Sequence, residues 1–203
     1  MKVAIIGAGN VGKALATSIT NAGHDVTIAA SNAENARTAA DEIGTRAADS
    51  SAAAVVDADI VILAIPYAAG AQVAADIRDG VAGKTIIDVS NPLTPDYSGL
   101  ATTGTSAAEE LQQLFPQARV VKAFNTLFAS IQAAPTREVD GLVAADDGDA
   151  KQQVISLIDS MGFNPLDVGP LSAARHLEGM AFINIGLNAQ NGWSWTSAWK
   201  LER

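Results

Sequence analysis

An unbroken apolar run, Val3-Ala-Ile-Ile6, leads without a spacer into Gly7-Ala-Gly-Asn-Val-Gly12, and that turn leads into Lys13 to Gly23 and a second strand pattern, Asp25-Val-Thr-Ile-Ala-Ala-Ser-Asn32. This order of strand, glycine turn, helix and strand constrains the chain more than any other feature. The apolar run has the pattern of a parallel strand buried on both faces. Gly7 lets the chain reverse, Gly9 has no Cβ to hold off a ligand, and Gly12 lets the helix lie close on the strand. A pyrophosphate would rest on the helix N-terminus, where free N–H groups favour negative charge. Gly7, Ala8, Gly9, Asn10, Val11 and Gly12 are therefore the first candidate cofactor residues. Val11, Leu15, Ile19 and Ala22 recur at helical spacing, and Gly23 is placed to end the helix.

The chain has 203 residues, 48% of them hydrophobic and 17% charged, enough for one sizeable core. A net charge of −9 argues against nucleic acid or an anionic membrane surface as partner. The absence of cysteine removes disulfides, thiolate metal sites and thiol catalysis. No apolar run reaches the roughly 18 residues of a membrane span, and no leader precedes the first strand, so the expected location is cytoplasmic.

After the second strand the chain gives Ala29-Ala-Ser-Asn32. No carboxylate stands where one would bond a ribose 2′-hydroxyl, and Ser31 and Asn32 can donate to a 2′-phosphate, which favours NADP over NAD. Ser31 can equally cap the next helix, and Arg37 follows about a turn and a half on. Asn35 to Ile43 reads as that helix, Ser50 to Val56 as a short one, and Asp59 to Ile65 as a buried strand closed by Pro66. Ligands in open α/β sheets lie outside the carboxyl ends of the strands, so Ile65, Pro66 and Tyr67 border the expected ribose and nicotinamide. Tyr67 reads equally well as a packing residue at the start of a helix spanning 68–77. Lys84 to Val89 is another buried strand, delivering Ser90 and Asn91 to the same edge, and the loop from Leu93 to Thr105 suits a lid or substrate-side wall.

Ser106-Ala-Ala-Glu109 is a capping box opening a helix to Phe115. Arg119 to Phe124 is a strand that delivers Asn125 and Thr126, and Asn125 is either a turn residue or a ligand of the nicotinamide carboxamide. Gly141 to Ala145, Ala150 to Met161 and Asn164 to Val168 read as strand, helix and edge strand, the last because of Pro165. A terminal helical segment begins near Ser172. It ends with Trp193, Trp195 and Trp199 in a chain only 5% aromatic, which serve either as buried packing or as a platform under a flat ring. The fold class is α/β, a Rossmann-type doubly wound and mostly parallel sheet with a small C-terminal α/β extension. Residues 1–130 form the dinucleotide-binding domain and 131–203 the extension and terminal helix, within one compact unit.

Acid–base chemistry has few candidates. The chain has two histidines, and His24 sits in the turn before the second strand, which leaves His176, with Lys122 and Tyr67 as substitutes. A hydride passed directly between nicotinamide and a flavin-like ring needs no protein base. The scarcity of catalytic side chains favours that chemistry. A small β-hydroxyacid-type dehydrogenase using Lys122 or His176, or a non-catalytic dinucleotide sensor, are the alternatives.

Gly7-Ala-Gly-Asn-Val-Gly12, Asp59-Ile-Val-Ile-Leu-Ala-Ile-Pro66, Ser90-Asn-Pro92, Val121-Lys-Ala-Phe-Asn-Thr126 and Asp167-Val-Gly-Pro-Leu-Ser172 together resemble the NADPH-dependent reductases of coenzyme F420, an 8-hydroxy-5-deazaflavin. They are also similar to the oxidoreductase domains of the STEAP metalloreductases. The resemblance implies an NADP-dependent oxidoreductase that passes a hydride between NADP(H) and F420, or FAD or FMN, as small-molecule partner, in a homodimer. It places Ala8 to Val11 on the pyrophosphate, Ser31 and Asn32 on the 2′-phosphate, Ile65 and Pro66 around ribose and nicotinamide, and Asn125 and Leu127 at the faces of the two rings. Ala30-Ser31 stands where the family usually carries Ser-Arg.

Overall fold

The computed structural model describes residues 1–202. Its centre is a single eight-stranded sheet made of β1 (Lys2–Ile6), β2 (Asp25–Ala29), β3 (Arg46–Ala47), β4 (Ile60–Leu63), β5 (Thr85–Asp88), β6 (Arg119–Ala123), β7 (Asp140–Ala145) and β8 (Asn164–Asp167). The spatial order is β3-β2-β1-β4-β5-β6-β7-β8. The first six strands are parallel and follow the order of a dinucleotide-binding fold. β7 runs antiparallel to β6, and β8 runs parallel to β7. β8 is an edge, as Pro165 requires, because a proline has no N–H to give a further neighbour.

Side chains alternate across the sheet into two apolar layers. Val3, Ile5, Ile28, Ile62, Ile87 and Val121 pack with α1 (Asn10–Asn21), α2 (Ala33–Ile43) and α7 (Gly148–Met161) on one face. Ala4, Ile6, Val61, Leu63, Ile86 and Val120 pack on the other with α3 (Ser51–Val55), α4 (Gly70–Ile77) and α5 (Ala107–Leu114). Two further helices, α6 (Ala129–Gln132) and α8 (Ala174–Asn191), lie beyond β6 and β8 in the chain.

Local chemistry sets the ends. The Asn32 side chain accepts the Glu34 N–H and caps α2, Ser50 caps α3, Ser106 caps α5 and Asp147 caps α7. One expectation is corrected here and one element is added. The helix expected over 68–77 opens with a single 3-10 turn, Tyr67–Ala69, before α4 begins. A short outer strand, β3, was not legible in the sequence, since its two residues are both exposed and carry no alternation.

Candidate functional site

The loops after β1, β2, β4, β5 and β6 meet along one edge of the sheet, and the site is built from them. At the glycine turn the backbone geometry separates the three glycines. A Cβ on Gly7 would lie 2.1 Å from the Ala64 carbonyl oxygen, and one on Gly12 would lie 1.9 Å from the Gly7 carbonyl oxygen. Gly7 and Gly12 are thus demanded by the packing of β1, β4 and α1. Around a Cβ on Gly9 nothing lies within 4 Å, so this position faces open space at the N-terminus of α1, where a phosphate would approach the backbone.

A cavity of about 460 Å³ begins there, lined by Gly7, Ala8, Gly9, Ser31, Ile65 and Pro66, together with Asn35, Ser51, Gln72 and Asp76. Sequence reasoning missed the last four. Asn35 was within reach, lying one helical turn beyond Ser31; Ser51 and Gln72 come from separate helices and carry no local signal. Asn32, not Ser31, is the helix cap, so the Ser31 hydroxyl is not used for capping. Arg37 lies outside this lining, bonded to Asp49 at 2.7 Å and facing Glu34 at 3.6 Å.

At the other end of the edge, a cavity of about 190 Å³ is lined by Val11, Asn91, Asn125, Thr126, Leu127 and Gln132, among others. Asn91 Nδ2 donates to the Asn125 carbonyl at 2.9 Å, and Asn125 Nδ2 donates to Asn91 Oδ1 at 2.9 Å. The carbonyl can only accept, so it fixes the orientation of both amides and leaves Asn125 Oδ1 as the free atom. That oxygen is buried with no partner among the described residues. Asn125 follows Phe124, whose φ of 61° turns the chain out of β6. Gln132 braces this turn by donating to the Phe124 and Leu127 carbonyls at 3.1 and 2.9 Å.

A third and larger cavity, about 920 Å³, adjoins the second and shares Val11, Phe128, Ala129 and Ile185 with it. Asn10, Leu93, Tyr97, Phe182 and Trp195 complete much of its wall. Leu93 and Tyr97 come from the long loop, which therefore forms a wall here. Trp195 meets Phe128 edge to face at 5.3 Å, and its carbonyl accepts the Ser130 hydroxyl. Of the three tryptophans, Trp195 lines this cavity, Trp193 is exposed, and Trp199 lines a separate one.

Tyr67 and Ser90 line a further cavity of about 240 Å³ beside α4 and α5. The Tyr67 hydroxyl donates to Glu110 at 2.6 Å, and the hydrogen bond to that carboxylate, aided by burial, pushes the phenol up to about 12. At neutral pH Tyr67 is a held donor. The two acid candidates also fall away from the cleft. Lys122 is fully buried, with Asp88, Glu178 and the Ser90 carbonyl on its ammonium. His176 lines the Trp199 cavity, which shares no residue with the three cavities along the strand ends.

A mostly parallel sheet in this order, with a glycine turn opening on a helix N-terminus and a cleft along the strand ends, defines a Rossmann-type dinucleotide-binding protein. Residues 2–92 match the family described as NADP oxidoreductase, coenzyme F420-dependent. The F420-dependent NADP reductase of Methanothermobacter thermautotrophicus is 33% identical over 94% of this chain and 90% of its own length. The chain belongs to this family of NADP-dependent oxidoreductases. It is also 34% identical over 181 residues to metalloreductase STEAP3 of Rattus norvegicus, covering 87% of this chain but only 36% of that protein. A solved structure of a candidate F420-dependent NADP reductase from Arthrobacter sp. FB24 superposes with a TM-score of 0.90 at 27% identity, over 100% of both chains.

Proposed function

We propose that this protein passes a hydride between NADPH and coenzyme F420, the acceptor ring lying against the nicotinamide where the 190 Å³ and 920 Å³ cavities join. That junction carries the reading: a small amide-lined cavity opens directly into a large, mostly apolar and aromatic one, and no Asp, Glu, His, Lys or Arg lines either. When bound, the nicotinamide supplies the hydride, and this chain's residues bind, orient and exclude water.

The residues present fit such a cofactor. Open space at Gly9 admits a pyrophosphate, Ser31, Asn35 and Ser51 offer neutral donors to the 2′-phosphate end, and the unpartnered Asn125 Oδ1 can accept the carboxamide N–H. Ile65 and Pro66 line the same cavity as Gly9 and Ser31. Leu127 and Thr126 wall the nicotinamide end, and Trp195 and Tyr97 border the acceptor. Residues 1–130 serve as the dinucleotide domain, and both 1–130, through Leu93, Tyr97 and Phe128, and 131–203, through Phe182, Ile185 and Trp195, wall the acceptor, in a cytoplasmic homodimer.

Anaerobic NADPH oxidation followed by absorbance, with F420, FMN, FAD and a quinone offered separately, tests this. Fast oxidation by F420 is the expected result; tight NADPH binding with no oxidation by any acceptor would sink the proposal. The absence of Lys and Arg from the acceptor lining favours, as a second reading, a simple flavin or quinone over a coenzyme with an acidic tail. Faster turnover with those acceptors than with F420 would select it. The dehydrogenase alternative has lost its support, because the donors of Lys122 are engaged and His176 opens elsewhere.

A further inference from the structure

Asp88 and Lys122 stand opposite each other in the ladder between β5 and β6. Both side chains are completely buried, and so is Glu178 of α8. Lys122 Nζ reaches Asp88 Oδ2 at 2.7 Å, the Ser90 carbonyl at 2.6 Å and Glu178 Oε1 at 2.9 Å. An ammonium has three N–H groups, so every one is committed. The second Asp88 oxygen accepts the Ser90 N–H at 2.9 Å. Ser90 is therefore held by both of its backbone groups, one through each member of the Asp88–Lys122 pair. Glu178 in turn accepts the Ala107 N–H with both oxygens, at 3.0 and 3.3 Å, which ties the start of α5 to the same cluster.

Two carboxylates and one ammonium are a poor way to gain stability. Taking three charges out of water costs more than their attraction readily returns, and apolar replacements of buried ion clusters are often neutral or stabilising. What the cluster supplies is direction. Lys122 gathers β5, α8 and the loop after β5 onto one atom, and the residue that follows the clamped Ser90 is Asn91. Asn91 then exchanges two hydrogen bonds with Asn125, and that exchange is what leaves Asn125 Oδ1 unpaired.

We propose that Lys122 is a positioning residue for the nicotinamide end of the cleft, acting through the backbone of Ser90 and the amide pair of Asn91 and Asn125. This rests on the reading of the cleft as an NADPH site. Lys122 touches neither cofactor nor substrate; it sets the height of the Ser90–Asn91 loop and with it the orientation of the free Asn125 oxygen.

The test compares the binding of NADPH with that of 2′,5′-ADP, which occupies only the end lined by Ser31, Asn35 and Ser51. Lys122→Met alone leaves two carboxylates facing each other and is accompanied by the charge-free triple variant Lys122→Met, Asp88→Asn, Glu178→Gln. The triple variant keeps acceptors for the Ser90 and Ala107 N–H groups and deletes the donor to the Ser90 carbonyl. It is expected to hold 2′,5′-ADP within about twofold of wild type while its NADPH Kd rises about tenfold, the size of one lost hydrogen bond at that end. In an Asn125→Ala background the same triple change is expected to raise the NADPH Kd no further. An unchanged NADPH Kd, an equal loss for both ligands, or additivity with Asn125→Ala would overturn the proposal. Failure of the wild-type protein to bind 2′,5′-ADP or NADPH would instead overturn the reading of the cleft, and the proposal with it.

Discussion

Two glycines three residues apart in the sequence do different work, and substitution separates them. Gly9 has extended backbone and open space, so Gly9→Ala is expected to melt within about 0.5 kcal/mol of wild type. Its NADPH Kd is expected to rise roughly tenfold, because the new methyl occupies the phosphate's approach. Gly12→Ala sets a Cβ 1.9 Å from a backbone oxygen, and an expected cost of about 2 kcal/mol or more is read from denaturant unfolding. Glu178 gives a pH prediction. Burial, opposed by Lys122 and reinforced by Asp88, pushes its carboxyl up from the ordinary 4.5. Between 4.5 and that raised value the folded chain holds more protons than the unfolded one, so this residue's contribution to stability falls as pH rises through the interval. Glu178→Gln keeps the acceptor for the Ala107 N–H and is expected to flatten that fall. Melting temperatures of both proteins from roughly pH 4 to pH 8 check it; parallel curves would remove the assignment.

Between elements, the turn from β6 into α6 is the most demanding joint. Phe124 adopts a left-handed φ of 61° while fully buried, and the Gln132 amide satisfies two of the carbonyls that the turn exposes. Gln132→Met leaves the Leu127 carbonyl without a donor and the Phe124 carbonyl with only the Leu127 N–H, for an expected loss of about 1–3 kcal/mol by urea unfolding. The cavity beside this joint is closed in part by the tail after α8, where Trp195 meets Phe128. Trp195→Ala is expected to raise the acceptor KM roughly 3–10-fold and to leave NADPH affinity unchanged, since the tryptophan lies outside both cavities assigned to the dinucleotide ends. Equal changes in both parameters would place the tryptophan's contribution in folding.

Over the whole molecule, α8 is the element with an unmatched apolar side. Ile183 and Leu187 lie one turn apart on it, 54% and 40% exposed. The proposed homodimer would cover them. Replacing both with Glu is expected to convert a dimeric sedimentation coefficient to a monomeric one, and a wild type that sediments as a monomer would dismiss the dimer. At this scale the two sources of information also part. The sequence by itself determined the α/β class, the parallel strands, the glycine turn and the residues at the strand ends, because short-range patterns encode each of them: apolar runs for strands buried on both faces, helical spacing for α1, cap residues for the helix ends. It could nominate Asn125 for the nicotinamide end, since a residue that closes a parallel strand lands on the ligand edge whatever the long-range packing. Only the tertiary structure decided that Lys122 is spent on Asp88, Ser90 and Glu178, that His176 opens into another cavity, that Arg37 is held by Asp49, and that Asn35, Ser51 and Gln132 join the site. The physical reason is distance along the chain. Glu178 and Lys122 are 56 residues apart, and whether a charge is free for chemistry depends on which distant partner packing brings within hydrogen-bond reach, which no local pattern of residues records.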